Sequence, residues 1–109
     1  MLMKELKEKN HISHRLYKYL YVAFQNTPKN FDYYLSTIHG HEDLAYYERV
    51  NLFFDEMEQE FANSSLDEVL KELKVSEPED IMQFRGLGKK CVSELQTLIE
   101  RDRNESKTI

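Results

Sequence analysis

Residues able to interrupt a helix are scarce in this chain. Across 109 positions there are two prolines, Pro28 and Pro78, and three glycines, Gly40, Gly86 and Gly88. With so little punctuation the polypeptide has few places to turn, so helices divided near those five points are the expected filling. Hydrophobic residues make up 40% of the chain and charged residues 32%, enough to bury a core and too apolar for a disordered chain. The length is that of one domain, or of a small domain with a helical extension.

Residues 2–26 read as helix, with Leu16, Leu20 and Ala23 at helical spacing, although the run LYKYLYVAF is also rich in strand formers. Thr27 then caps a second helix whose first position is Pro28, where the missing N–H costs nothing. Phe31, Tyr34, Leu35 and Ile38 follow at i, i+3, i+4 and i+7, and Gly40 supplies a left-handed stop. A longer helix is expected from His41 or Glu42, with Leu44, Tyr47, Val50, Phe54, Met57 and Phe61 on its apolar stripe.

Ser65-Leu66-Asp67-Glu68 forms a capping box ahead of a short helix that turns Leu66, Val69, Leu70 and Leu73 inward. A second box, Ser76-Glu77-Pro78-Glu79, opens another short helix containing Ile81, Met82 and Phe84. The glycine pair ends it. A last helix over residues 89–103 points Val92, Leu95, Leu98 and Ile99 inward, and residues 104–109 read as a disordered polar tail. The fold class is all-α: a bundle of short helices.

Two of the three glycines stand in the run Gln83-Phe84-Arg85-Gly86-Leu87-Gly88-Lys89-Lys90-Cys91. Glycine tolerates positive φ, so the pair permits a tight bend between two helices, with Leu87 turned inward to pin it. The following helix then starts with unpaired amides beside the bare backbone of Gly88, and such an N-terminus accepts an anion. Lys89 and Lys90 add full charges there, although lysine in a first turn is mildly unfavourable. Between Gln83 and Leu95, Arg85, Lys89 and Lys90 stand against Glu94, a local balance of +2 in a chain of net −5. A small basic spot on an acidic body suits contact with a phosphate backbone without sequence readout.

The run Phe84-Arg85-Gly86-Leu87-Gly88-Lys89-Lys90-Cys91-Val92-Ser93-Glu94-Leu95, preceded by Asp80-Ile81-Met82, resembles the helix-hairpin-helix class. Within that class it is similar to the carboxy-terminal domain of the bacterial RNA polymerase α subunit, over residues 65–100. The resemblance implies an amino-terminal helical extension over residues 1–40 and a domain of that type over residues 41–103. It further implies a non-catalytic, transcription-related module that contacts DNA through Arg85, Gly86, Gly88, Lys89, Lys90, Cys91 and Glu94. Cys91 stands where the family has a phosphate-binding serine. The family's earlier Arg and Asn, three positions apart, have Glu48 and Asn51 as nearest counterparts. Arg49 is displaced by one position, about 100° of helix rotation.

Other features point elsewhere. His11 and His14, and His39 and His41 beside Glu42 and Asp43, have spacings that invite a metal, but a useful site also needs a third ligand and a shaped pocket. Both sets lie at expected helix ends, where histidine serves as a polar boundary residue. No metal, no cofactor and no enzyme activity are expected. Seven tyrosines and six phenylalanines fall mostly between Tyr17 and Phe61, more than a small helical half easily hides. This gives the alternative reading, an adaptor that docks a protein partner through its aromatic amino-terminal half. Residues 1–10 lack an apolar run and no stretch is apolar enough to span a bilayer, so neither a signal peptide nor a membrane partner is expected. The lone Cys91 cannot close an internal disulfide, which favours a cytoplasmic setting.

Overall fold

The computed structural model describes residues 1–40 and 42–107, with side chains to residue 103. Every regular element among them is helical: α1 (Met3–Glu8), α2 (His14–Gln25), α3 (Pro28–Gly40), α4 (Tyr46–Ala62), α5 (Leu66–Glu72), a 3-10 helix (Pro78–Gln83) and α6 (Lys89–Lys107). His41, expected to open the fourth helix, lies outside the described residues, as do Thr108 and Ile109.

The helix expected over residues 2–26 is two helices. Asn10 takes φ 55°, with its N–H on the Lys7 carbonyl and the His11 N–H on the Leu6 carbonyl, closing α1 with a Schellman turn. Asparagine tolerates the left-handed region better than most residues, which is why the chain reverses there. Ser13 then caps α2, its Oγ accepting from the Leu16 N–H at 3.1 Å.

Helix α2 is the hub, packed by α1, α3, α4 and α6. Its Leu16, Leu20 and Phe24 are buried, and Tyr17, Tyr21 and Phe24 surround the ring of Phe61 with centroid separations of 5.1, 5.3 and 5.5 Å. Residues of α1, α2, α4, α5 and α6 share one core, from Met3 and Leu6 through Met57 and Phe61 to Leu95 and Leu98. The amino terminus is tied into it. The Met3 N–H donates to the Ser64 carbonyl at 2.8 Å and the terminal ammonium pairs with Asp102 at 3.4 Å. Residues 1–25 thus belong to the same core as residues 53–98.

Thr27 and Pro28 start α3 as expected, with the Asn30 N–H on Thr27 Oγ1 at 3.4 Å. Only half of the expected α3 stripe faces inward: Tyr34 packs on the Phe53 ring at 5.0 Å and Ile38 is half-buried. Phe31 and Leu35 are 50% and 39% exposed, while Asn30 and Thr37 are buried. Asn30 is buried because its Nδ2 donates to the Phe24 carbonyl at 2.8 Å, closing the end of α2. Gly40 is simply the last residue of α3, without positive φ.

Helix α4 starts four positions after Glu42, and Phe53, Met57 and Phe61 form its buried stripe. Tyr47 and Phe54, assigned to that stripe from the sequence, are 65% and 43% exposed. The i, i+4, i+8 row that faces α2 includes Phe53 rather than its neighbour, one step round the helix.

Ser65 caps α5 as expected, and Leu66, Val69, Leu70 and Leu73 are buried. Lys74, at φ 59°, closes the helix with a second Schellman turn, the Val75 N–H on the Leu70 carbonyl at 2.9 Å. The next helix is 3-10, with Glu77 as its N-cap and Asp80 as the acidic partner of the box, one position on from the expected Ser76 and Glu79. Asp80 Oδ2 accepts from the Ser76 and Glu77 N–H groups at 3.0 Å each. The chain turns over residues 84–88 into α6, whose backbone stays helical four residues past the expected end at Arg103. The radius of gyration is 15.4 Å and the extents are 50 × 29 × 20 Å. A compact chain of this length would reach about 13 Å, so the molecule is elongated.

Candidate nucleic-acid interface

The turn between the 3-10 helix and α6 is held by helix α2. Gly86 has φ +87°, which L side chains rarely adopt, and a Cβ placed there would meet the Tyr19 ring at 2.6 Å. The Gly86 carbonyl accepts from Arg15 Nε at 2.9 Å. Arg15 and Tyr19 are one turn apart on α2, so a single face of that helix grips the glycine by hydrogen bond and by ring contact. Leu87, 5% exposed, enters the core next to it. Gly88 is different: it has no positive φ, and nothing lies within 4 Å of a Cβ built there.

At the start of α6 the Cys91 and Val92 N–H groups both donate to the Gly88 carbonyl at 3.1 Å, which makes Gly88 the cap residue. The Lys89 and Lys90 amides have no backbone partner among the described residues, and both side chains are exposed. No acidic residue stands in the first turn.

Glu94, the carboxylate expected at the contact surface, is committed elsewhere. Its two oxygens accept from the Ser13 N–H and from Ser13 Oγ, each at 2.6 Å. The bonds run in series, since Ser13 Oγ in turn accepts from Leu16. Glu94 therefore fixes the start of α2, and with it Arg15, against α6. Cys91, also expected at the surface, is a core residue 5% exposed. Its small apolar body fits the interior, and burial removes its weak S–H donor from an incoming ligand.

Arg85, Gly88, Lys89 and Lys90 are exposed, as expected. Two cations are added that sequence reasoning missed. Arg15 keeps its terminal guanidinium donors after the bond to Gly86 and lies 5.8 Å from the Tyr19 centroid, and Lys18 Nζ lies 5.7 Å from the same ring. The Arg15–Tyr19 spacing is visible in the sequence, but its pairing with a glycine 71 positions away is not. In α4, the Arg49 side chain donates to the Ile38 carbonyl. It ties α3 to α4, and Glu48 beside it is exposed.

Of the two histidine pairs, His39 and His41 cannot be compared, because His41 lies outside the described residues. His11 sits in the α1–α2 turn, not on a helix with His14, and His39 is exposed near the end of α3. Among the described residues no group of three His, Cys, Asp or Glu is placed to hold a metal ion. No helix among them is long and apolar enough to cross a membrane. No family model, curated protein or solved structure matches the chain.

Proposed function

We propose that this protein is a non-catalytic nucleic-acid-associated module that contacts a phosphate backbone through the 85–90 turn, in the manner of a helix-hairpin-helix protein. The observation that carries this reading is the bond from Arg15 to the Gly86 carbonyl. It draws a cation from a distant helix onto a turn that already holds Arg85, Lys89 and Lys90. Five cations, with Lys18, gather where the neighbouring carboxylate, Glu94, is occupied by Ser13. Two amides at a positive helix end, without a backbone partner among the described residues, add donors of the kind that hold phosphates. Backbone contact of this type carries no sequence specificity by itself, and a transcription-related role is the setting the family resemblance supports.

Fluorescence anisotropy of labelled DNA at low salt tests it. The wild-type protein should bind, and the Lys89→Glu/Lys90→Glu variant should lose binding at least tenfold. Glutamate suits a first helical turn, so that variant should fold with unchanged or higher stability. Equal binding by both proteins refutes the reading.

A second reading, a protein-docking adaptor, is favoured by the exposed aromatic residues Phe31, Tyr46, Tyr47 and Phe54 of α3 and α4. It predicts a Phe31→Ser/Tyr47→Ser variant that loses a protein partner while the basic turn is untouched.

A further inference from the structure

Beside the basic turn lies a cavity of about 320 Å³, open to solvent and walled by α2, the α2–α3 junction, the end of α5 and the residues entering the turn. That volume is at the lower end of small-ligand pockets, room for a flat ring system rather than a folded element. Its walls carry three kinds of group. Tyr19, Val22 and Phe84 give apolar and aromatic surface, and Asn26 and Gln83 bring side-chain amides. Arg85 and Lys74 bring positive charge against one carboxylate, Glu72, which is paired with Lys29 at 3.6 Å. The Tyr19 ring is held in place by its contact with Gly86, and Asn26 by the bond from its Nδ2 to the Val22 carbonyl at 3.0 Å. The side-chain oxygen of Asn26 remains an acceptor.

Arg85 belongs to both places: it lines the cavity and stands in the basic turn. A strand whose phosphates lie on residues 88–90 therefore has the cavity next to its path. We infer that the cavity receives one unpaired base of that strand, stacked against Tyr19 or Phe84 with its edge toward the Asn26 and Gln83 amides. The protein then prefers single-stranded or locally opened nucleic acid to closed duplex. This rests on the nucleic-acid reading above and names the form of nucleic acid it takes. Aromatic stacking accepts any base, so the preference is for strandedness rather than sequence.

The test compares anisotropy of a labelled single strand and of the same strand in duplex, for wild type and for Val22→Trp. Val22 is 37% exposed, so the larger ring fills the cavity without entering the core. The expected result is about tenfold tighter binding of the single strand by wild type, reduced to near parity in Val22→Trp, with duplex binding unchanged. A single strand carrying 2-aminopurine should change its fluorescence on binding wild type and not on binding the variant. Duplex bound as tightly as single strand, or a preference that survives Val22→Trp, overturns the cavity's role and leaves the phosphate site standing. Loss of both ligands in wild type removes the phosphate site and this inference together. An acidic peptide that fills the cavity and is not displaced by the single strand assigns it to a protein partner and also overturns the inference.

Discussion

Gly86 and Gly88 stand one residue apart and have unlike tolerances to substitution. Alanine at Gly86 must adopt φ +87° and push its Cβ to 2.6 Å from the Tyr19 ring. Gly86→Ala should therefore lose about 2 kcal/mol or more, by the combined strain and clash. Gly88 is an open cap position, so Gly88→Ser should change stability by no more than a few tenths of a kcal/mol. Urea denaturation of the two variants checks this, and equal losses would contradict the assigned geometry. Both glycines announced a bend in the sequence, but only the ring of Tyr19 tells which of them the bend requires. Tyrosines on α2 carry a second residue-level consequence. Burial lifts the Tyr17 and Tyr21 phenols above their ordinary value of 10.0; Glu58 adds to both, while a Gln25 hydrogen bond opposes the rise at Tyr21. The folded state thus holds these protons more tightly than the unfolded chain. Their contribution to stability is complete below pH 10 and is lost as pH rises through the elevated values. Alkaline titration followed by tyrosinate absorbance and circular dichroism should show some tyrosines ionising late, together with loss of helix. Ionisation of all seven at the ordinary value with helix intact would contradict it.

Helix ends decided most of the differences between expectation and structure at the level of elements. The starts at Thr27, Pro28 and Ser65 were legible from their residue types, but Ser13, an equally common cap, was not, because it stands inside the helix expected over residues 2–26. Lys74 closes α5 in the left-handed region with a side chain that gives no such signal. Lys74→Gly should accordingly raise stability by about 0.5–1 kcal/mol in thermal or urea unfolding. No gain would mean that the Lys74 side chain contributes contacts of its own. Stripes were harder to read than ends. On α3 and α4 nearly every candidate position is aromatic or aliphatic, so the pattern leaves the buried face ambiguous by one residue. The ring cluster on Phe61 resolves it for α4, because three aromatic residues of α2 converge there, and the Tyr34–Phe53 contact does so for α3. Phe61→Ala should cost about 3–5 kcal/mol, a large fraction of the stability of a chain this size. A small loss would place the α2–α4 contact elsewhere.

Across the whole molecule, charge is unevenly spread. The chain is acidic overall, with exposed carboxylates Asp55, Glu56, Glu58 and Glu60 along α4, while five of its fifteen Lys and Arg residues stand where α2 meets the 85–90 turn. The all-helical class and the basic run were legible in the sequence. The bonds of Arg15 to Gly86 and of Glu94 to Ser13 were not, because both join distant segments. The most direct measurement is the salt dependence of affinity for a short labelled DNA duplex, with wild type and Arg15→Gln side by side. Each phosphate neutralised contributes about −0.9 to the slope of log K against log salt. Wild type should give a slope of roughly −3 to −5, and Arg15→Gln should reduce its magnitude by about 1. No binding at low salt, or a slope that Arg15→Gln leaves unaltered, would contradict the account.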